Sequence, residues 1–288
     1  MKKTALFLAL IICILLCVTV FCACDDWDTA QYDAGQIKIM SVNVRRVTSA
    51  DTGLRAWKNR RSIVIENIKE ASPTIIGMQE VTPLQYKYLQ RRLNNYNYTV
   101  TYRDNTAQSE ACPIFYRKDL YTLVQQGTFW LSETPDVVSK DWGAAYYRIC
   151  TFVVLRDNAT QKQFAVFNTH LDNESETARV NGFGVIQDKI NALKHYPTVV
   201  MGDFNDTENS EIYTKATENF FDVKYQVDNA FVNCATFHNW GQEVGRTIDY
   251  ILIAQTGFTV NSYQVITTTY NGKYASDHFP IVSLLTLT

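Results

Sequence analysis

Short apolar runs recur along the chain, and several of them end on one acidic, amide or imidazole side chain. Three such runs end at Asn43, at Glu80 and at His170. Runs of this kind are typical of β-strands that are buried on one face or on both. Because acidic and amide side chains are poorly suited to a hydrophobic core, we predict that these strand ends meet at one site at the rim of a sheet.

Helical and strand-like segments alternate along the rest of the chain. Apolar residues at helical spacing predict helices over 57–70, 82–93 and 174–194. Aromatic, β-branched and alternating residues predict further strands over 96–103, 112–117, 121–131, 146–156, 197–204, 248–253, 258–268 and 278–287. The segments lack a regular strand–helix–strand rhythm, which favours an α+β arrangement of two sheets packed face to face with helices outside.

The first 23 residues have the pattern of a secretory signal peptide. Lys2 and Lys3 precede an apolar run that extends to Ala23. Ala23 and the aspartates after Cys24 resemble the processing site of bacterial lipoproteins, so we predict that Cys24 is lipidated, with Cys22 as the competing position. An uncleaved membrane anchor is the alternative.

Lipid on Cys24 would decide where the protein resides. It would be secreted across the bacterial inner membrane and held at the envelope, on the outer membrane or the cell surface. Residues 24–35 are predicted to be a linker and 36–288 a single domain, which is long enough for a well-buried core. No feature of the sequence indicates an obligate protein partner.

Composition and charge exclude some classes of function. The net charge of −2 gives no general field for attracting polyanions. The arginine pairs at 45–46, 60–61 and 91–92 are predicted to be solvated faces, which argues against a specialist in duplex DNA. The cysteines beyond Cys24 have no paired spacing, so we expect buried free thiols and no zinc site.

The polar residues at the strand ends are suited to metal and phosphate chemistry. Glu80 emerges from a nearly wholly apolar strand and is the strongest candidate for a metal ligand. Oxygen ligands suit Mg²⁺ or Mn²⁺ rather than zinc. Asp203 and Asn205 lie two residues apart, so in an extended segment they face the same side. A carboxylate and an amide side by side would position a water molecule and hold a phosphate oxygen.

The adjacency of Asp277 and His278 predicts which carboxylate orients the histidine. Successive side chains of a strand point to opposite faces, so Asp277 is badly placed to reach the His278 ring. We predict that Asp249, from another strand, accepts the hydrogen bond of that ring and favours its charged form. His170 ends its strand in a similar way and is expected to donate to a phosphate oxygen.

The motifs SVNVR, GMQEV, NTHLD, MGDFND, TIDYIL and SDHFP resemble, in this order, those of the endonuclease/exonuclease/phosphatase superfamily. The resemblance extends from about Ile37 to Thr288 and implies a four-layer α/β sandwich around two mostly antiparallel sheets. It also implies Mg²⁺-dependent cleavage of a phosphate ester. The implied roles are phosphate contact for Asn43 and Asn205, metal binding for Glu80 with Asp277 as a second ligand, water activation for Asp203, charge stabilisation for His170 and His278, and orientation of His278 for Asp249.

The sequence leaves the substrate open. Hydrolysis of a phosphodiester by an activated water is the leading prediction, and the substrate would be a nucleic acid, a nucleotide or a phospholipid head group. A phosphomonoesterase and a lipid phosphodiesterase of the phosphoinositide or sphingomyelin type are the alternatives. Arg148 is expected to reach a phosphate. A surface-tethered binding protein is the non-enzyme alternative, which the presence of Glu80, Asp203 and His278 disfavours.

Overall fold

The computed structural model describes residues 31–193, 196–242 and 245–288 of the chain. The predicted signal peptide, the lipidation site at Cys24 and the first part of the linker lie outside these residues and stay predictions. Within the described ranges, none of the helices has the length and apolar character needed to cross a membrane.

The described residues form twelve strands and four α-helices. The strands are β1 (Gln36–Asn43), β2 (Ile75–Gln79), β3 (Tyr96–Thr99), β4 (Ile114–Arg117), β5 (Tyr121–Trp130), β6 (Ile149–Asp157), β7 (Gln163–His170), β8 (Thr198–Asp203), β9 (Phe220–Asp222), β10 (Asp249–Ala254), β11 (Phe258–Val265) and β12 (Ile281–Leu287). The helices are α1 (Trp57–Ala71), α2 (Pro83–Arg92), α3 (Glu176–Ala192) and α4 (Glu211–Thr217). Single turns of 3-10 helix lie at Gly53–Arg55, Val223–Tyr225 and Asn239–Gly241.

The strands pair into two six-stranded sheets of similar design. The first has the order β11-β12-β1-β2-β4-β3 and the second the order β5-β6-β7-β8-β10-β9. One pair in each sheet is parallel, β1 with β2 and β7 with β8, and the other pairs are antiparallel. The prediction of a sandwich with two mostly antiparallel sheets is confirmed.

Each parallel pair is joined through a helix. The connection from β1 to β2 contains α1, and the connection from β7 to β8 contains α3. Parallel neighbours need such a crossover, since a tight turn reverses the direction of the chain. The two units are separated along the chain by antiparallel strands, so they form no regular repeat.

Local sequence signals set where the helices begin. Thr82 and Gln85 form a reciprocal capping box at α2, with Pro83 in the first turn. The short helix α4 was not predicted, because seven residues carry too little periodicity. Its start is marked by Ser210, whose Oγ accepts a hydrogen bond from the Tyr213 N–H at 3.3 Å.

The main core lies between the two sheets. Ile39 of β1 and Ile75 of β2 belong to the same hydrophobic cluster as Val199 and Met201 of β8. The intervening Val200 belongs to a second cluster, which includes residues of α3 and α4. Because β8 is buried on both faces, its sequence is a continuous apolar run rather than an alternating one.

A buried amide network joins the sheets beneath the polar strand ends. Gln79 Nε2 donates to Asn168 Oδ1 at 2.7 Å, and Asn168 Nδ2 donates to the carbonyls of Met78 at 2.8 Å and Pro113 at 3.0 Å. Both amide side chains are fully buried. Because buried amide groups need partners, these bonds favour one placement of β2 relative to β7, although Gln79 Oε1 has no partner among the described residues.

Of the three cysteines in the described residues, two have the buried environment that was predicted. Cys112 and Cys150 are buried free thiols, and burial raises the pKa of both. Cys234 is also free but only partly buried. Thiols that stay protonated in this way are poor nucleophiles and poor metal ligands.

We predict that Gly202→Ala destabilises the fold strongly. Gly202 has φ +148°, and a Cβ there would lie 2.0 Å from the Thr169 carbonyl oxygen on the neighbouring strand. Steric overlap with backbone and an unfavourable φ together should lower the free energy of unfolding by about 2–4 kcal/mol. Gly272→Ala is the matched control, because Gly272 has φ +71° with no atom within 4 Å of the added Cβ. Equal losses for the two variants in urea denaturation would contradict the steric argument.

Candidate active site

Three neighbouring strand ends of the second sheet carry a row of polar side chains. His170 ends β7, Asp203 ends β8 and Asp249 begins β10. His170 is paired in register with Asp203, and Asp203 with Asp249. Residues in one such row project from the same face of a sheet. The predicted convergence of these strand ends is therefore present, and all three side chains are buried.

The first sheet adds Asn43 and Glu80 to this row. Asn43 Nδ2 donates to Asp203 Oδ2 at 2.9 Å and to Glu80 Oε1 at 3.1 Å. Asn43 Oδ1 accepts the Arg45 N–H at 2.9 Å, and the residue is 1% exposed. Asn43 therefore bridges two carboxylates from different sheets. The expectation that Asn43 contacts phosphate stays a prediction.

His278 is bonded to the carboxylate that strand alternation predicted. Its Nδ1 lies 2.9 Å from Asp249 Oδ2, and its Nε2 lies 3.8 Å from Asp203 Oδ2. The neighbouring Asp277 points elsewhere, with its Oδ2 3.5 Å from Arg45 Nη1. The His278 ring is thus fixed at one nitrogen and faces Asp203 with the other.

Burial and neighbouring charges set the protonation of this group. Burial alone would lower the pKa of His278, but Asp249 and Asp203 outweigh it and raise the pKa to about 10. Burial and the Asp249 charge raise the pKa of Asp203 to about 7, although His278 and Asn43 oppose the shift. At neutral pH, the site therefore holds a charged imidazole beside a carboxyl group that titrates there.

His170 has the opposite character from His278. Its Nε2 lies 3.5 Å from Asp203 Oδ2. Burial, followed by the charges of Arg148 and Arg103, holds the pKa of His170 well below its usual range. A neutral ring and a charged ring therefore approach the same carboxylate from two sides.

A cavity of about 250 Å³ opens above these groups. The predicted site residues that line it are Glu80, Arg148, His170, Asp203, Asn205, Asp277 and His278. Asn205 contributes through its backbone, since its N–H donates to Asp203 Oδ1 at 2.9 Å, while its Nδ2 donates to the Leu171 carbonyl at 3.0 Å. Asn43 and Asp249 lie behind this surface and support it.

Backbone conformation is unusual at three positions beside the cavity. Arg45, Glu80 and Asn205 have φ values of 51°, 62° and 55°. Residues other than glycine adopt such values at a cost, and asparagine adopts them most readily of these three types. The left-handed turn after β2 directs the Glu80 carboxylate into the cavity instead of continuing the strand.

The cavity is rich in arginine, which the sequence did not predict. Among the described residues, its lining includes Arg45, Arg46, Arg103, Arg148 and Arg246. The pair at 45–46, predicted to be a solvated face, lies in the lining instead. Arg148 is buried, with its Nε 3.3 Å from Asp172 Oδ2. Since these arginines come from distant parts of the chain, no local pattern could have revealed their convergence.

Arg60 is another arginine that was predicted to be solvated and is fully buried. Its guanidinium donates to the carbonyls of Val44 and Arg45, which follow β1, and at 3.0 Å to the carbonyl of Ala275. Burial lowers its pKa to about 10, against the opposing charge of Asp277, so it stays charged at neutral pH. Arg60 thus ties the segment after Asn43 to the segment that carries Asp277 and His278.

Two sets of residues are candidates for a metal site. Asp203, Asp249 and His278 offer ligand atoms within 4.8 Å of one another. His278 is a poor ligand there, because a charged imidazole has no lone pair to donate and its Nδ1 already contacts Asp249. This set therefore fits acid–base chemistry better than metal binding.

Glu80 and Asp277 fit a divalent cation better. Burial would raise the pKa of Glu80, but the Arg46 N–H and the charge of Arg45 outweigh it and keep the carboxylate ionised. Burial raises the pKa of Asp277, and the nearby Glu80 charge adds to the shift. Two carboxylates that repel each other at the edge of a cavity are suited to share a hard cation such as Mg²⁺.

Comparison with known proteins places this geometry in context. The chain matches the Endonuclease/Exonuclease/phosphatase family over residues 40–278. It is similar to an uncharacterized protein of Acanthamoeba polyphaga mimivirus, with 28% identity over 204 residues that make up 67% of this chain and 75% of that protein.

Two solved structures from Bacteroides thetaiotaomicron have the same fold. One is an endonuclease/exonuclease/phosphatase family protein with a TM-score of 0.82 and 30% identity, covering 89% of this chain and 100% of that chain. The other is a mannosyl-6-phosphatase with a TM-score of 0.82 and 30% identity, covering 87% of this chain and 100% of that chain.

We predict that Asp249→Asn lowers the pKa of His278 from about 10, since only the charges of Asp203 and Asp277 would then oppose the effect of burial. Imidazole NMR signals of the metal-free protein would measure it. Because the pKa of His278 is higher in the folded chain than in the unfolded chain, protonation of His278 stabilises the fold. This contribution is complete below about pH 6.5 and is lost as the pH rises toward 10. The free energy of unfolding should therefore fall over this range more in the parent protein than in the variant.

The control for this prediction is Asp277→Asn. Asp277 contributes to the His278 pKa only as a neighbouring charge and does not bond the ring. Its replacement should lower the pKa less than Asp249→Asn does. If the two variants shifted the pKa equally, the assignment of Asp249 as the main partner would be wrong.

Proposed function

The chain belongs to the endonuclease/exonuclease/phosphatase family, whose members are hydrolases of phosphate esters, and we propose that it hydrolyses its ester with a water molecule activated by Asp203. One observation carries this proposal. Asp203 is a buried carboxylate, its pKa is raised to about 7, and it faces an arginine-lined cavity between two histidines.

Asp203 would act as the general base. It accepts a proton from the attacking water, and a base works best when its pKa lies near the working pH. Asn205 holds the Oδ1 atom through its N–H, and Asn43 holds Oδ2, so the carboxylate has a fixed orientation. Because the carboxylate is fixed, the water molecule that it activates would attack phosphorus from one direction.

The two histidines would stabilise the charge that develops on the phosphoryl oxygens. His278 donates from Nε2 as a cation, because Asp249 holds its Nδ1. His170 donates as a neutral ring. Donors fixed in advance in a water-poor site lower the barrier without having to reorganise during the reaction.

Glu80 and Asp277 would hold a divalent cation, for which Mg²⁺ is the first choice and Mn²⁺ the second. Divalent-metal dependence is typical of the family. When bound, the cation would polarise a phosphoryl oxygen. Hard cations of this kind prefer carboxylate oxygens as ligands. When the cation is absent, the Arg45 guanidinium would partly neutralise the negative charge of these carboxylates.

Two classes of ester are candidates for the substrate. A phosphodiester was the leading prediction from the sequence. A phosphomonoester is favoured by the small cavity, since 250 Å³ is below the ~300–1,000 Å³ usual for drug-sized ligands. The similarity to a mannosyl-6-phosphatase over most of the chain also supports a monoester, and a sugar phosphate in particular.

Hydrolysis of aryl, sugar and nucleotide phosphates, nucleic acid, phosphoinositide and sphingomyelin should be measured with Mg²⁺, Mn²⁺ or excess chelator. We expect at least one ester to be cleaved only when metal is present. Asp203→Asn should lower kcat by about 10²–10⁴-fold, since it removes the base. Glu80→Gln should instead raise the metal concentration needed for half-maximal rate, with weaker Mg²⁺ binding by calorimetry.

Asp157→Asn is the control, because Asp157 is a buried carboxylate at the other end of its sheet and bonds Thr160. It should retain the parent rate. Full turnover in excess chelator would contradict the metal site, and an Asp203→Asn variant with the parent rate would contradict the role of Asp203.

A further inference from the structure

One wall of the cavity is built from two arginines that share a buried carboxylate. Arg103 donates to Glu110 from Nη1 at 2.9 Å and from Nη2 at 3.1 Å. Arg46 Nη1 lies 2.9 Å from the same carboxylate. Arg46 follows β1, whereas Arg103 and Glu110 lie between β3 and β4, so the contact joins two separate segments. We call Arg46, Arg103 and Glu110 the Glu110 clamp.

The Glu110 clamp lies beside the reacting groups. A small void next to the main cavity is lined by Glu80, Arg103, Glu110 and His170 together. The Arg103 charge contributes to the lowered pKa of His170. A phosphate group bound in the cavity beside His170 would therefore lie next to the clamp.

The clamp has donors that its own acceptor does not use. Arg46 and Arg103 share Glu110, and the Nε of Arg103 also lies 3.8 Å from a second carboxylate oxygen, Asp104 Oδ2. The Nε atoms of Arg46 and Arg103 have no hydrogen-bond partner among the described residues. Glu110 is 5% exposed and Arg103 7%, whereas the Arg46 side chain is 32% exposed and open to the cavity.

A second arginine–carboxylate contact in the chain has a different design. Arg117, at the end of β4, donates to Asp119 from both Nε and Nη2, at 2.8 and 2.6 Å. That pair is one cation on one anion, and neither residue lines the catalytic cavity. The sharing of one carboxylate by two arginines and the position beside the site are therefore properties of the Glu110 clamp and not of every such contact in this protein.

Phosphate monoesters and diesters differ in charge, and a wall of arginines can distinguish them by this difference. A phosphate monoester carries about −1.5 to −2 at neutral pH, whereas a diester carries a single negative charge. Guanidinium groups match phosphate oxygens in geometry and bind them with charge-assisted hydrogen bonds. A clamp held in position before binding gains this contact without having to order its side chains.

We propose that Arg46 and Arg103, held by Glu110, form an anion subsite that recognises the second negative charge of a phosphate monoester and makes the protein select monoesters over diesters. The inference rests on the proposed function and names its substrate class. In the reaction a bond forms between the water oxygen and phosphorus and the ester P–O bond breaks. The water proton passes to Asp203, and the leaving alkoxide takes a proton from solvent, which yields an alcohol and inorganic phosphate.

Paired substrates test the subsite through turnover. The ratio of kcat/KM for 4-nitrophenyl phosphate to that for bis(4-nitrophenyl) phosphate should favour the monoester in the parent protein. Arg103→Met should lower kcat/KM for the monoester by about 10–100-fold, as expected for a lost charge-assisted hydrogen bond, and should change the diester value much less. Glu110→Gln, which loosens the clamp but keeps both arginines, should lower the ratio in the same direction.

Arg117→Met is the matched control and should leave the ratio unchanged. Equal losses on both substrates in Arg103→Met and Glu110→Gln would assign the clamp a structural role only and overturn the inference. So would a parent protein that prefers the diester.

A binding measurement separates this inference from the proposed function. With Mg²⁺ present, calorimetry should find that inorganic phosphate binds the parent protein more tightly than dimethyl phosphate, and that Arg103→Met removes the difference. This selectivity without turnover of any ester would support the subsite and contradict the function. If an ester were hydrolysed but the two anions bound equally tightly, the proposed function would be supported and the subsite contradicted.

Discussion

The burial of Asp203 between partners from both sheets is the constraint on which the site depends. Its carboxylate is 1% exposed, yet it accepts from the Asn43 amide and lies within 4 Å of two histidine rings. Burial raises its pKa, while His278 limits the rise. Glu80 is bonded to the same amide but stays ionised, because it also accepts the Arg46 N–H. Carboxylates whose environments separate their pKa values in this way can serve different roles.

The charge of the whole chain says little about the field inside the cavity. The net charge is −2, but five arginines among the described residues converge on one small space. A concave wall concentrates such a field, so a protein of slightly negative net charge can still bind an anion at one point. Arg60 adds to this field from beneath, and it also fixes the two segments between which the anion would lie.

The sequence predicted what depends on strand periodicity and missed what depends on tertiary contacts. The pairing of His278 with Asp249 was predicted from the alternation of side chains along a strand, and the structure has this contact, although Asp277 and His278 precede β12. The helix over Glu211–Thr217 was too short for a periodic signal. The position of Asn43 behind the carboxylates and the convergence of Arg46 with Arg103 arise from segments far apart in the chain. No pattern within a single segment carries that information.

A double-mutant cycle on Asp249 and His278 would show whether a charged His278, held by Asp249, acts on Asp203 as one unit with it. The quantity to measure is kcat/KM on the best metal-dependent substrate for Asp249→Asn, His278→Ala and the double variant. Each single change should cost about 10²–10⁴-fold. The double variant should be hardly worse than the poorer single variant, because the second change removes a partner that is already disabled. Losses that simply multiply would contradict this expectation.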